Sequence, residues 1–256
     1  MNPLQKAKNI LSFYCIRSPS RLNLEEIANA EGLIVDEKPL NSHLGRITYG
    51  VGHGLITISS NIENPGAKRF TLAHEMGHFF NEGSRLKNKF GCTPADLLSF
   101  KSKKRYEDEA NEFAAELLMH KPWFSDFIRN RPVSLDLIKE TAAYFNVSLT
   151  AAAVRYAEIG QFPIAVIMTQ AGKIKWCVTN DYFPVRFVKK NSPVQKYTRV
   201  YDYYRGKEID TGEDLVLCET WFKTDYNCRK DLYFYEDNLP MPNYNSVLTI
   251  LRQYEY

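Results

Sequence analysis

The sequence predicts an α+β protein. A unit with a small sheet, built around one histidine-bearing helix, is followed by a helical segment and then by an antiparallel β-rich unit. Three observations predict this. Short strand-like runs alternate with helical periodicity over the first 125 residues, two compact helical patterns follow to about residue 160, and strand-like segments punctuated by Pro and Gly dominate from Phe162 onward. The expected partition is 1–125, 126–160 and 161–256.

A chain of 256 residues suits one large domain or two modest ones. With 44% hydrophobic and 25% charged residues it has the composition of a soluble globular protein. A net charge of +3 is too small to argue for nucleic acid as a partner. The opening residues show no signal-peptide cleavage pattern, and no apolar run is long enough to span a bilayer, so no membrane association is expected. Cys15, Cys92, Cys177, Cys218 and Cys228 are odd in number, scattered and never Cys-x-x-Cys. That argues against a disulfide framework and a thiolate metal site, and for a reducing, cytoplasmic setting.

In chain order, Leu4, Ala7, Ile10, Leu11 and Tyr14 recur at helical spacing, giving a first helix over residues 4–14 that Ser18-Pro19-Ser20 breaks. Asn23 is placed to cap a short helix over 24–30, Gly32 to end it, and Leu33-Ile34-Val35 suits a short buried strand. Residues 44–48 and 55–59 read as two strands joined by a link carrying Gly50, Gly52 and Gly54. The next pattern, over residues 66–81, contains His74-Glu75-Met76-Gly77-His78. On a helix, His74 and His78 lie one turn apart on one face, so both imidazoles can grip one metal ion. Glu75 beside the first of them can take the proton of an attacking water, which is the mechanical content of a zinc-dependent hydrolytic motif. Leu72, Met76, Phe79 and Phe80 make this helix apolar, and a buried helix does not carry His and Glu without a partner for them.

The strand just upstream, Leu55-Ile56-Thr57-Ile58-Ser59, alternates apolar and polar residues. In zinc peptidases of the thermolysin type an edge strand near the active-site helix binds substrate as an added strand. These five residues are the candidates for that role here, against a plain structural strand, which alternation supports equally.

Residues 84–105 are basic, reading as a solvated insertion. A helix over 106–119 follows, with Ala110, Phe113, Ala114, Leu117 and Leu118 as its buried face. Glu107 falls within that face, Glu109 at its edge, and Glu112 and Glu116 point away. A carboxylate on a core face needs a compensating charge, which a metal held by two imidazoles supplies. Glu107 is therefore the expected third ligand and Glu109 the alternative. Asn111, one turn beyond, is placed to bond the free nitrogen of a liganding histidine and hold its tautomer.

Lys121-Pro122 reads as a stop. Helices over 134–145 and 149–159, separated by Asn146-Val147-Ser148, resemble a helix-turn-helix, but Arg155 is the second helix's only basic residue, so packing is favoured over DNA contact. Beyond them, residues 164–168 and 174–178 read as a hairpin across Gln-Ala-Gly, and 185–188, 215–220, 232–235 and 246–252 add strand-like segments.

The stretch Arg69-Phe70-Thr71-Leu72-Ala73-His74-Glu75-Met76-Gly77-His78 and the stretch Glu107-Asp108-Glu109-Ala110-Asn111-Glu112-Phe113-Ala114-Ala115-Glu116-Leu117-Leu118-Met119 together resemble the ImmA/IrrE family of bacterial zinc metallopeptidases. The resemblance spans about residues 1–160 and joins two motifs on separate helices. It implies a thermolysin-like minimal zincin core, with Zn2+ on His74, His78 and Glu107 and Glu75 as catalytic base. Enzymes of this family are associated with cleaving Xre-type helix-turn-helix repressors, in mobile-element induction or stress responses. A protein substrate of that kind is thus the expected partner, and the β-rich part is expected to regulate or to dock it. The sequence departs at His120, where the family usually has Pro, and in the length of the basic insertion. The competing reading is a non-cleaving zinc-fold regulator that binds a repressor or DNA; the intact Glu75 argues against it.

Overall fold

Caps and glycines set the first boundaries in the computed structural model, which describes residues 2–50, 53–82, 90–92, 105–186, 188–196, 198–210, 212–223 and 227–253. Helix α1 (Pro3–Phe13) begins at Asn2, whose side chain accepts from the Gln5 amide. Helix α2 (Leu24–Ala30) begins at Asn23, whose side-chain Oδ1 accepts from the Glu25 and Glu26 amides, and Gly32 at φ +78° turns the chain out of it. The chain divides into two compact units, Met1–Phe127 with Glu140–Ala151, and Ile128–Lys139 with Ala152–Tyr256.

In the first unit, strands β1 (Leu33–Lys38), β2 (Gly45–Tyr49), β3 (Gly54–Ser59) and β4 (Phe90–Cys92) form a mixed sheet in the order β1-β3-β2-β4. The glycine-rich link makes β2 and β3 an antiparallel pair, as expected, with Ile47 opposite Ile56. Strand β1 pairs parallel to β3 through the crossover between them, Leu33 opposite Gly54.

Two expectations are corrected here. First, β3 is an interior strand. Both its main-chain edges are taken, by β1 and by β2, so Leu55, Ile56, Thr57, Ile58 and Ser59 have no free edge on which to add a substrate strand. Its burial agrees, since all of these except Leu55 are buried, on both faces. Second, β1 is the outer strand, with Leu33 buried and Ile34 61% exposed, so it is not a buried strand. The other border of the sheet is β4, which comes from within the basic stretch 84–105 and pairs with β2, Arg46 opposite Gly91. Residues 83–89 and 93–104, including most of that insertion and the Gly83 terminator, lie outside the described residues.

Helix α3 (Pro65–Glu82) carries the histidines and packs on the sheet and on helix α4 (Arg105–Leu118). Gly66 permits α3 to start against the Val147–Ser148 turn, because a Cβ there would lie 2.3 Å from the Val147 carbonyl carbon. After α4 the chain starts a further helix, α5 (Lys121–Ile128), where Lys121-Pro122 reads in sequence as a stop. Proline is equally suited to a first helical turn, where its missing N–H has no partner to lose. Helices α6 (Leu135–Phe145) and α7 (Leu149–Ile159) follow as expected, Asn146 supplying the left-handed turn at φ +51°.

The second unit holds an antiparallel sheet of β5 (Ile164–Gln170), β6 (Lys173–Thr179), β7 (Asp214–Leu217), β8 (Tyr233–Met241) and β9 (Ser246–Gln253), in the order β6-β5-β9-β8-β7. Ala171 and Gly172, both with positive φ, make the two-residue β5–β6 turn. Phe183, Val185, Trp221, Phe222 and Phe234 fill the core on one face. The aromatic residues of this region thus serve first as packing. Among the described residues, Val185, Arg186 and Val188 join no strand; Val185 is fully buried all the same. Residues 215–220 divide between β7 and a short helix (Glu219–Phe222). Cys218 and Cys228 are joined in a disulfide, against the expectation of thiols throughout, whereas Cys15 and Cys177 are free. No described helix is long and apolar enough to cross a membrane.

Candidate active site

The α3 helix is buried along nearly its whole middle: Thr71, Ala73, His74, Glu75 and Met76 are 0% exposed and His78 1%. The 3.6-residue period puts His74 and His78 on one face, with ring centroids 4.7 Å apart. That face meets α4. A Cβ on Gly77 would lie 3.0 Å from Ala110 O and 3.1 Å from Phe113 Cδ1, so the glycine lets the two helices approach closely. Sequence reading passed over Gly77. Its signal was there: glycine inside a helix costs about 1 kcal/mol against alanine and wants a packing reason. Phe80 stacks on Phe113, and Asn81 Nδ2 donates to Glu109 O at 3.0 Å, which pins the same helix pair one turn further on.

The close approach delivers Glu107, in the first turn of α4 and 2% exposed, to the two histidines. Glu107 Oε2 lies 3.1 Å from His74 Nε2 and 3.4 Å from His78 Nε2, and the two Nε2 atoms are 3.1 Å apart. Burial pushes the Glu107 carboxyl up, but the His74 and His78 imidazoles beside it, when protonated, outweigh burial by hydrogen bonds and charge and bring it down to about 2. Glu109 is not part of the cluster. Its side chain is 29% exposed and accepts from Arg105 Nε at 2.8 Å.

Asn111 lies where the helical spacing puts it. His74 Nδ1–H donates to Asn111 Oδ1 at 2.8 Å, which leaves the His74 Nε2 lone pair facing Glu107 and His78. Two ring nitrogens and a carboxylate oxygen thus converge in a buried spot, and acceptors so placed need positive charge between them. A metal cation fits. Bonds of about 2.0–2.1 Å at tetrahedral angles separate neighbouring ligand atoms by about 3.3 Å, and nitrogen and oxygen donors of this kind suit zinc. Among the described residues, His74, His78 and Glu107 form the group of His, Cys, Asp or Glu that could hold a metal ion. Replacing Asn111 by Ala is expected to lower zinc affinity about 10- to 100-fold, read by competition with a chromophoric chelator, with the helical circular dichroism unchanged.

Glu75 is fully buried on the side of α3 that meets the sheet, next to β2. Two further charged side chains, Glu116 and Arg155, are buried and paired. Glu116, read in sequence as pointing away, is 2% exposed, and its Oε1 accepts from His120 Nδ1 at 2.7 Å. Arg155, the sole basic residue of α7, is 6% exposed and pairs with Glu158 at 3.0 Å.

The family profile of Peptidase_M78, the IrrE N-terminal-like domain, matches residues 28–156, half of the chain, a span that contains His74, Glu75, His78 and Glu107. Comparison with curated protein sequences finds no match. Among solved structures, a Mycobacterium tuberculosis transcriptional regulator is similar with a TM-score of 0.61 and 13% identity, over 98% of this chain and 76% of that one. At that identity the likeness is one of fold.

Proposed function

Because the chain belongs to the Peptidase_M78 family, with its IrrE N-terminal-like domain, we propose that it is a zinc-dependent endopeptidase acting on a protein target, a helix-turn-helix repressor of the Xre type. The observation that carries this reading is the buried convergence of His74 Nε2, His78 Nε2 and Glu107 Oε2 within 3.4 Å, with Glu75 next in sequence to the first of them. His74, His78 and Glu107 would hold a zinc ion, which when bound would supply Lewis acidity at the scissile carbonyl. Glu75 takes the proton of the attacking water and carries it to the leaving amine. Its burial keeps the carboxylate out of bulk solvent, where its basicity would be diluted. Asn111 holds His74 in the tautomer that offers Nε2.

A role in control of transcription is in keeping with the similarly folded transcriptional regulator. Direct DNA contact through residues 134–159 is not part of this reading, since Arg155 is buried and paired. The β-rich second unit, in this proposal, docks or gates the target. A cytoplasmic setting is part of this proposal.

The test is incubation of the purified chain with a candidate repressor, analysed by intact mass. Discrete fragments are expected, lost when zinc is chelated and regained when it is restored. Relief of repression with the repressor uncut would replace the peptidase by the non-cleaving regulator.

A further inference from the structure

We propose that Gly45 is a positioning residue for Glu75, its missing side chain forming the slot that holds the carboxylate of the base; this rests on the peptidase reading above. A Cβ built on Gly45 would lie 2.6 Å from Thr71 Cγ2, 2.7 Å from Glu75 Oε1 and 3.0 Å from Glu75 Cγ. No side chain fits there while Glu75 keeps its place.

The need is for space rather than for backbone freedom. The described glycines with positive φ are Gly32, Gly172 and Gly206, and Gly45 is not among them. Its backbone is one that any residue adopts within a strand. The atoms that forbid a side chain all belong to α3.

Each wall of the slot is fixed from behind. Gly45 pairs with Ile58 of β3 on one side and with Cys92 of β4 on the other, so β2 is tied between two strands. Thr71 lies one turn before Glu75, on the same stripe of α3. Its hydroxyl donates to Ala67 O at 2.9 Å, which fixes the rotamer and presents the methyl group to Gly45. The Glu75 carboxylate therefore lies against strand backbone on one side and beside the Thr71 methyl. That contact restricts the side-chain rotamers open to a residue with three rotatable bonds. The three atoms nearest a Gly45 Cβ belong to Thr71 and Glu75, not to His74, His78 or Glu107. A change at Gly45 thus acts on the base ahead of the metal ligands.

The test uses the full chain and its protein substrate, with zinc content measured on each variant. Gly45→Ala is expected to keep one zinc per chain and the wild-type KM while kcat falls about 100-fold, the usual consequence of misplacing a catalytic group by about 1 Å. Thr71→Ser adds no atom and keeps the hydroxyl, so it serves should Gly45→Ala fold poorly. It widens the slot and is expected to lower kcat several-fold, again with zinc and KM unchanged. Wild-type kcat in Gly45→Ala, or in a folded Thr71→Ser when Gly45→Ala does not fold, overturns the slot. So does loss of zinc in step with activity, which marks a structural effect. Absence of cleavage by the wild-type chain is a different result and overturns the peptidase reading itself.

Discussion

For the proposed peptidase, Glu75→Gln is expected to bind zinc with wild-type affinity and to cleave substrate about 10²- to 10⁴-fold more slowly. The substitution keeps the size and shape of a side chain that is 0% exposed, so the packing of α3 is preserved. It leaves His74, His78 and Glu107 untouched, so the donor set that converges within 3.4 Å remains. What it removes is a group that can accept a proton from water and give it to an amine, and positioned general acid–base catalysis contributes a factor of that size. Zinc content by atomic emission and single-turnover cleavage check both halves. Normal cleavage by the amide variant would remove Glu75 from the chemistry. Loss of zinc together with activity would place it in the metal site instead.

The second large effect separates two neighbouring carboxylates. Glu107→Ala is expected to lower zinc affinity by more than about 100-fold, beyond what removal of a supporting hydrogen bond does. Glu107 is buried, and an ionised carboxylate so placed costs several kcal/mol unless a cation compensates it. Glu109→Ala removes only a pair with Arg105, whose side chain is 93% exposed, and such a pair is worth about 0–1 kcal/mol. Zinc affinity in that variant is expected to stay at the wild-type value. Competition titration of both proteins against one chelator decides the matter, and the opposite pattern would reassign the third ligand.

The helices that carry these side chains were legible because their information is local. Period 3.6 puts His74 and His78 on one face and phases Glu107 with Ala110 and Ala114, and the structure brings these three polar side chains together. The same arithmetic misplaced Glu116, because its partner His120 lies past the end of α4, where helical phase carries no information. Strand β3 was misread for a related reason. Alternation of Leu55, Thr57 and Ser59 reports on faces, whereas a free edge depends on which strands pair alongside, here β2 on one side and β1, brought parallel by a crossover, on the other. Gly45 gave no sign at all: nothing in a single strand announces that a helix residue thirty positions later needs the space. In the second unit the β5–β6 hairpin was marked by its turn, while Val185 had the apolar character of a strand and fills the core without being one.

The tight seam between α3 and α4 has a bearing on how such a chain can change. Gly77 against Ala110, Phe80 against Phe113 and Asn81 against Glu109 O fix the two helices to each other independently of the chain that links them. Closing a longer link costs little, about 0.6 kcal/mol for each doubling of its length. The stretches 83–89 and 93–104, on either side of β4, are therefore where residues can be added, removed or exchanged while His74, His78 and Glu107 keep their register. A reporter or an affinity handle can be spliced there at small expense to the geometry of these three side chains.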